Sequence, residues 1–512
     1  MKTAHPILHI LLTLAACNSG GVATETSSAA TTSATSTSGA SATDEPTAGP
    51  GSGGVSPTTS TTVASTGTDS GSSDANLPDL PGSTDTTTGD PFTCERPGGC
   101  DRLDIVLVID NSRGMAENQQ AFAAIIPHLV SRLRTVVGRD GAPVDPDVNI
   151  MVTTTDVGHP ICEIFQLPEY TPQQGAPVQL ACTDRLNLFA GIGDDPDVPE
   201  LCTDVCKPEA AAAPKGSFIH FDSLGDNIAD PDGLGDPVAD ALACLVPQGA
   251  SGCGFEAQLE AMFLALAPAA EWNLGRAPFL REGAALAIVL LTDESDCSTQ
   301  DFKYFDPDFK DHPEFGQYWA INPNTMEKQG GPSSAICWNA GMACDDPEMD
   351  GVYATCVPQA SGALFPINRY VNRLANLARA SGKPVFMLAL SGVPPVTAHS
   401  PDAPHVPTAG GAADLVYRDW VDADVLPGDL EETWQKQMNY GIGPGCVSPT
   451  RGYATPPGRI LEVCRSLDRQ DDPQTPANEA EIRCCVESTC DDDVTPAVDC
   501  LIDVVAQQLQ SK

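Results

Sequence analysis

Positive charge is scarce in this sequence of 512 residues, where 27 Lys and Arg stand against 69 Asp and Glu for a formal net charge of -42. An acidic chain of this kind lacks the electrostatic attraction that nucleic acids and anionic lipid headgroups require, so no nucleic-acid partner is expected. Also missing, past the first residues, is any apolar run of the ~20 residues that a transmembrane helix needs. No His-Glu-x-x-His occurs, which removes the common zinc-protease arrangement. Neither a P-loop nor a dinucleotide fingerprint is present. Gly249-Ala250-Ser251-Gly252-Cys253 misses the nucleophile elbow Gly-x-Ser-x-Gly, because Cys253 occupies its last position. These absences leave no positive sign of catalysis, and the chain is expected not to be an enzyme.

What the chain does have begins at its first residues. Met1-Lys2 and the apolar stretch Pro6 to Ala15 have the size of a secretory signal, and the stretch ends Leu14-Ala15-Ala16-Cys17. This tetrapeptide resembles the bacterial lipobox. The resemblance implies diacylation of the Cys17 thiol, cleavage before it, and usually a third acyl chain on the new amine. Two or three chains anchor a protein stably, where one does so only marginally. Asn18 is not the aspartate of the enterobacterial inner-membrane retention signal, so the outer membrane is the expected address, facing the periplasm or the cell surface.

Residues 18–93 are Ser, Thr, Ala and Gly with scattered Pro and Asp, and carry almost no large apolar side chain. Such a segment cannot bury enough surface to offset its conformational entropy, and is expected to be a disordered tether. As a random coil its roughly 75 residues span about 50 Å. Setting Cys17 aside leaves 18 of the 19 cysteines, an even number that reads as a disulfide framework in an exported protein. Cys94 and Cys100 are expected to close a small loop where order begins.

From residue 94 onward apolar runs of strand length alternate with helical periodicities. Leu103 to Ile109, Val148 to Thr154, Ala284 to Thr292 and Pro384 to Leu390 read as buried strands, with a last one near Glu481 to Val486 and a short edge strand at Ser217 to Phe221. Helical spacing runs over Asn118 to Val137, where Pro127 predicts a kink, then over Phe255 to Leu266, Ile367 to Ala378 and Ala497 to Leu509. This alternation predicts an α/β fold: a doubly wound, mostly parallel sheet with helices on both faces. Three long intervals near 157–215, 297–363 and 391–480 hold most of the cysteines and read as disulfide-stapled insertions.

Ligands of such sheets sit beyond the carboxyl ends of the strands, where Asp110 and Asp293 lie. The run Asp104 to Met115, with Asp110-Asn111-Ser112-Arg113-Gly114 after its strand, resembles the first strand and metal motif of von Willebrand factor A (vWA) domains. Ile288-Val289-Leu290-Leu291-Thr292-Asp293 is similar to the strand that carries that family's last metal-site aspartate. The resemblance implies a metal-ion-dependent adhesion site for Mg²⁺ or Mn²⁺, with Asp110, Ser112 and Asp293 as oxygen donors. It also implies a threonine from a third loop, for which the candidate is Ser251. One departure stands out: the family's second serine is here Gly114, which has no side chain to offer. The structural alternative is that Asp110 and Asp293 only cap strand ends and helix starts. Asp156, Glu294 and Asp296 read as solvated loop charges.

Weaker signals read as structural. Asp230-Pro231-Asp232-Gly233-Leu234-Gly235-Asp236 resembles part of a calcium loop but reads as a turn. Cys244 and Cys253 are expected to pair, as are Cys162, Cys182, Cys202 and Cys206 among themselves in two disulfides rather than around zinc. The adjacent Cys484 and Cys485 are expected to take separate partners. The function expected is a lipid-anchored, non-catalytic binding module for a protein or polysaccharide. Its alternatives are a structural envelope lipoprotein with a vestigial metal site, and a hydrolase with its site in the cysteine-rich insertions.

Overall fold

The computed structural model describes residues 101–509 apart from 168, 192–196, 208–212, 230–234, 382 and 469–480. Cys17, the 18–93 segment, the Cys94/Cys100 pair and most of the Asp230 to Asp236 turn therefore lie outside the described residues.

Seven strands form one sheet: β1 (Arg102–Ile109), β2 (Asp147–Thr154), β3 (Ile219–Asp222), β4 (Gly225–Asp226), β5 (Ala285–Leu291), β6 (Val385–Ser391) and β7 (Cys484–Ser488). Their order is β7-β6-β5-β1-β2-β3-β4. The first five run parallel, while β3 is antiparallel to β2 and β4 to β3. β1 lies at the centre, and every one of its residues after Arg102 is buried. That burial explains the unbroken apolar run, because a strand covered on both faces has no solvated side to alternate with.

Seven helices carry that cover: α1 (Ala116–Ala124), α2 (Ile126–Arg134), α3 (Pro237–Leu245), α4 (Gln258–Ala265), α5 (Asn368–Ser381), α6 (Gly458–Asp468) and α7 (Thr495–Ala506). On one face Leu103, Ile105, Leu107 and Ile109 of β1 pack with Phe122 and Leu129 of α1 and α2, Leu242 of α3 and Leu501 of α7. On the other, Val106 and Val108 pack with Leu259 and Met262 of α4, Leu374 of α5 and Ile460 of α6. The sheet is doubly wound, as the alternation predicts.

Several boundaries differ from the sequence expectation. The Asn118 to Val137 helix is two helices that break at Ile125, with Pro127 in the first turn of α2, where its missing N–H costs nothing. The strand expected at Ser217 to Phe221 begins at Ile219, and β4 rather than β3 forms the sheet edge. The 391–480 interval is not all insertion, because α6 belongs to the core. Helix α3 shows no clear polar face: seven of its nine residues are buried, so it carries no strong helical stripe for the periodicity to reveal.

All sixteen described cysteines pair, in eight disulfides. Cys484 bonds Cys464 and Cys485 bonds Cys500, so these neighbours do take separate partners. The expected Cys244–Cys253 bond is not formed. Cys253 bonds Cys162 and Cys244 bonds Cys206, so both tie the first insertion to the core. Of the four cysteines grouped by the sequence only Cys182 and Cys202 bond each other. A framework of this density places the folded part in an oxidising, non-cytoplasmic compartment, as an extracellular or envelope protein. Among the described residues no helix is long and apolar enough to cross a membrane.

Candidate metal centre at the carboxyl ends of the strands

Strands β5 and β1 are adjacent and in register, Leu291 opposite Ile109, so the loops that follow them start side by side. Asp110 is fully buried there, and its N–H donates to the Leu291 carbonyl at 2.9 Å. One carboxylate oxygen accepts from the Ser112 N–H at 2.9 Å, and the other from the Thr292 hydroxyl at 2.6 Å. Asp110 thus shapes its own loop, as the structural alternative foresees for it. Ser112 is also buried and precedes the short 3₁₀ turn Arg113–Met115, but its hydroxyl does not cap that turn. Gly114 sits inside the turn without a positive φ, so a side chain there is compatible with the backbone.

Asp293 behaves differently. Its backbone carbonyl accepts from the Thr455 N–H at 2.8 Å, which fixes the main chain. Its carboxylate, 2 % exposed, has no hydrogen-bond partner at either oxygen. It caps nothing. Burial first, then the charges of Asp110 and Glu294, hold the Asp293 carboxyl well above the usual carboxylate range. Burial also raises Asp110 to about 6, against the opposing hydrogen bonds from Thr292 and Ser112.

The third loop reaches this place through α1. The Gln119 side-chain amide donates to the carbonyls of Asp110 and Gly249, and its oxygen accepts from the N–H groups of Gln248 and Gly249. The Gly252 N–H donates to the Asn111 carbonyl at 2.8 Å. The approach is so close that a Cβ on Gly252 would come within 2.4 Å of the Asn111 side chain, and only glycine fits. Ser251 is therefore carried to the neighbourhood of the Asp110 loop. Its hydroxyl donates to the Leu188 carbonyl at 3.0 Å.

Glu256 is a further buried acid that its sequence neighbourhood does not single out. It is 1 % exposed, and its Oε1 has no hydrogen-bond partner. Burial, then Asp110, Glu294 and Asp293 in that order, push its carboxyl well up. The available signal was an acidic residue between Phe255 and Ala257 in a strongly apolar stretch ahead of α4.

The flanking acids are not solvated loop charges. Asp156 is buried and accepts from the Gly158 and Cys253 N–H groups, Gln166 and the Tyr170 hydroxyl. Asp296 is buried and pairs with Arg459 at 2.8 Å while accepting from Leu259 N–H and the Ser298 hydroxyl. Glu294 is buried as well. Among the described residues the only trio of His, Cys, Asp or Glu ligand atoms within 4.8 Å of one another is Cys182, Cys202 and Cys206, whose thiols are in disulfides.

Orphaned, buried carboxylate oxygens fit a hard cation, since each such group unpaired in a protein interior is expensive. No three of the buried carboxylates here bring their oxygens within 4.8 Å of one another, so they do not form a close cage. No protein-family model matches this chain, and no curated protein matches it.

Proposed function

We propose that this chain is a non-catalytic binding module of the vWA type, carried at a cell envelope by lipid on Cys17 and the 18–93 tether, with the outer membrane as its address. A divalent cation, Mg²⁺ or Mn²⁺, would be held by Asp110, Ser112 and Asp293, with Ser251 nearby. When bound, such an ion offers a free coordination position to an oxygen of a protein or polysaccharide partner. The protein's own part is to fix the donors on the ends of two adjacent strands and to surround them with buried backbone. The observation that carries this reading is the buried Asp293 carboxylate, without a hydrogen-bond partner, beside the buried Asp110.

One feature favours a second reading, an envelope protein that keeps the fold with a vestigial site. Gly114 contributes no side-chain oxygen. Calorimetric titration of Mg²⁺ into the full chain separates the two. Wild type should bind weakly, Asp110→Ala should not bind, and Gly114→Ser should bind tighter by about tenfold, or about 1.4 kcal/mol. No heat from wild type or Gly114→Ser would leave the vestigial reading. Binding unaffected by Asp110→Ala would put the ion elsewhere.

A further inference from the structure

The fold treats its buried acids in two ways. At the amino end of the sheet Asp104, fully buried in β1, is paired with Arg281 at 2.7 Å and Lys383 at 3.3 Å. At the carboxyl end Asp110, Glu256 and Asp293 are as deeply buried, and among the described residues none of the three is paired with Lys or Arg. Buried charges without a counter-charge are rare, because removing a partner from a buried pair costs several kcal/mol. Among the described residues two cations meet the one carboxylate and none meets the other three.

The position of Glu256 follows from its backbone. Its carbonyl accepts from the Cys297 N–H at 2.7 Å, in the loop after β5, and the next residue, Ala257, donates to the Thr155 carbonyl just past β2. β1 lies between β5 and β2, so the Glu256 backbone bridges over the end of β1, where Asp110 begins its loop. Two residues on, the Gln258 amide donates to the Thr292 hydroxyl at 2.7 Å, and that hydroxyl donates to Asp110. The segment is also pinned by the Cys162–Cys253 and Cys297–Cys337 disulfides on either side.

Resting on the metal-binding reading above, we propose that Glu256, rather than Ser251, supplies the third-loop oxygen, so that three carboxylates bound the cation. The free oxygens support it: both of Asp293 and Oε1 of Glu256 are buried without a hydrogen bond, whereas the Ser251 hydroxyl donates to Leu188. The oxygens of Asp110, Glu256 and Asp293 do not all lie within 4.8 Å of one another, so at least one of the three reaches the ion through a retained water. With three negative groups the set compensates a divalent ion without the serine lost at Gly114.

The test is Mn²⁺ binding to the full chain, followed by the loss of the free-ion electron paramagnetic resonance signal. Glu256→Gln, which keeps the shape and removes the charge, should weaken binding by about 10- to 100-fold. Ser251→Ala should change it by less than about threefold. Should Glu256→Gln fail to fold, Glu256→Asp, which keeps the charge but withdraws it by one methylene, must show the loss instead. Wild-type affinity in the folded Glu256 variant, with Asp110→Ala abolishing binding, overturns this assignment and leaves the metal site standing. A wild type that binds no Mn²⁺ overturns both.

Discussion

At the scale of single residues, burial rather than local sequence decides which ionisable groups are unusual. Glu487 in β7 is 3 % exposed, and the His399 Nε2 lies 3.1 and 3.3 Å from its two oxygens. Burial, with a smaller push from Asp491, raises its carboxyl from 4.5 to about 8, while burial and the charge of His405 lower His399. Both shifts favour the neutral forms. An unfolded chain releases the Glu487 proton near 4.5 and the folded chain near 8, so between these values the folded state binds more protons. The stability this group contributes is therefore full below 4.5 and is lost as pH rises through about 8. Glu487→Gln keeps a hydrogen-bonding partner for His399 and cannot ionise. Urea midpoints measured between about pH 5 and pH 8 should fall less steeply in the variant than in wild type. Equal slopes would show that Glu487 ionises freely in the folded chain.

At the scale of elements, α1 does more than cover the sheet. Gln119 satisfies four backbone groups, two on each side of its amide, and so holds the 248–251 loop to the start of the Asp110 loop. Gln119→Ala leaves these buried groups without their partner and should destabilise the chain by about 2–4 kcal/mol in denaturant unfolding. A change below about 0.5 kcal/mol would mean that the loops hold each other unaided. Elements of this kind mark the limit of what the sequence shows. Strands β1, β2, β5 and β6 were legible to within a residue or two because burial on both faces leaves β-branched and Leu-rich apolar runs of strand length. Asp110 and Asp293 were legible for the same reason, as the residues at which two such runs stop. Helix α3 was not legible, since it lacks a clear polar stripe, and α6 was hidden behind a long insertion. Glu256 escaped because its partners come from the ends of β2 and β5, far away in the chain. Cys244 and Cys253 are near in sequence, but each bonds the first insertion instead.

At the scale of the whole molecule, disulfides fasten the first insertion to the α/β core and staple the second within itself, and the carboxyl end of the sheet gathers three buried acids, Asp110, Glu256 and Asp293, that no described Lys or Arg pairs with. A cation held at that end must register in the stability of the entire fold. A ligand bound only by the folded state stabilises it by about 2.7 kcal/mol at a hundred times its dissociation constant. Asp293→Asn should also stabilise the ion-free chain, because burial and its acidic neighbours disfavour ionising the Asp293 carboxyl in the folded state whereas the unfolded chain ionises it freely. Thermal unfolding of wild type and Asp293→Asn, each in chelator and in a series of Mn²⁺ concentrations, reads both effects at once. In chelator Asp293→Asn should melt above wild type, and Mn²⁺ should raise the wild-type Tm progressively while leaving the variant where it was. A wild-type Tm indifferent to Mn²⁺, or a variant that rises with it equally, would contradict the account.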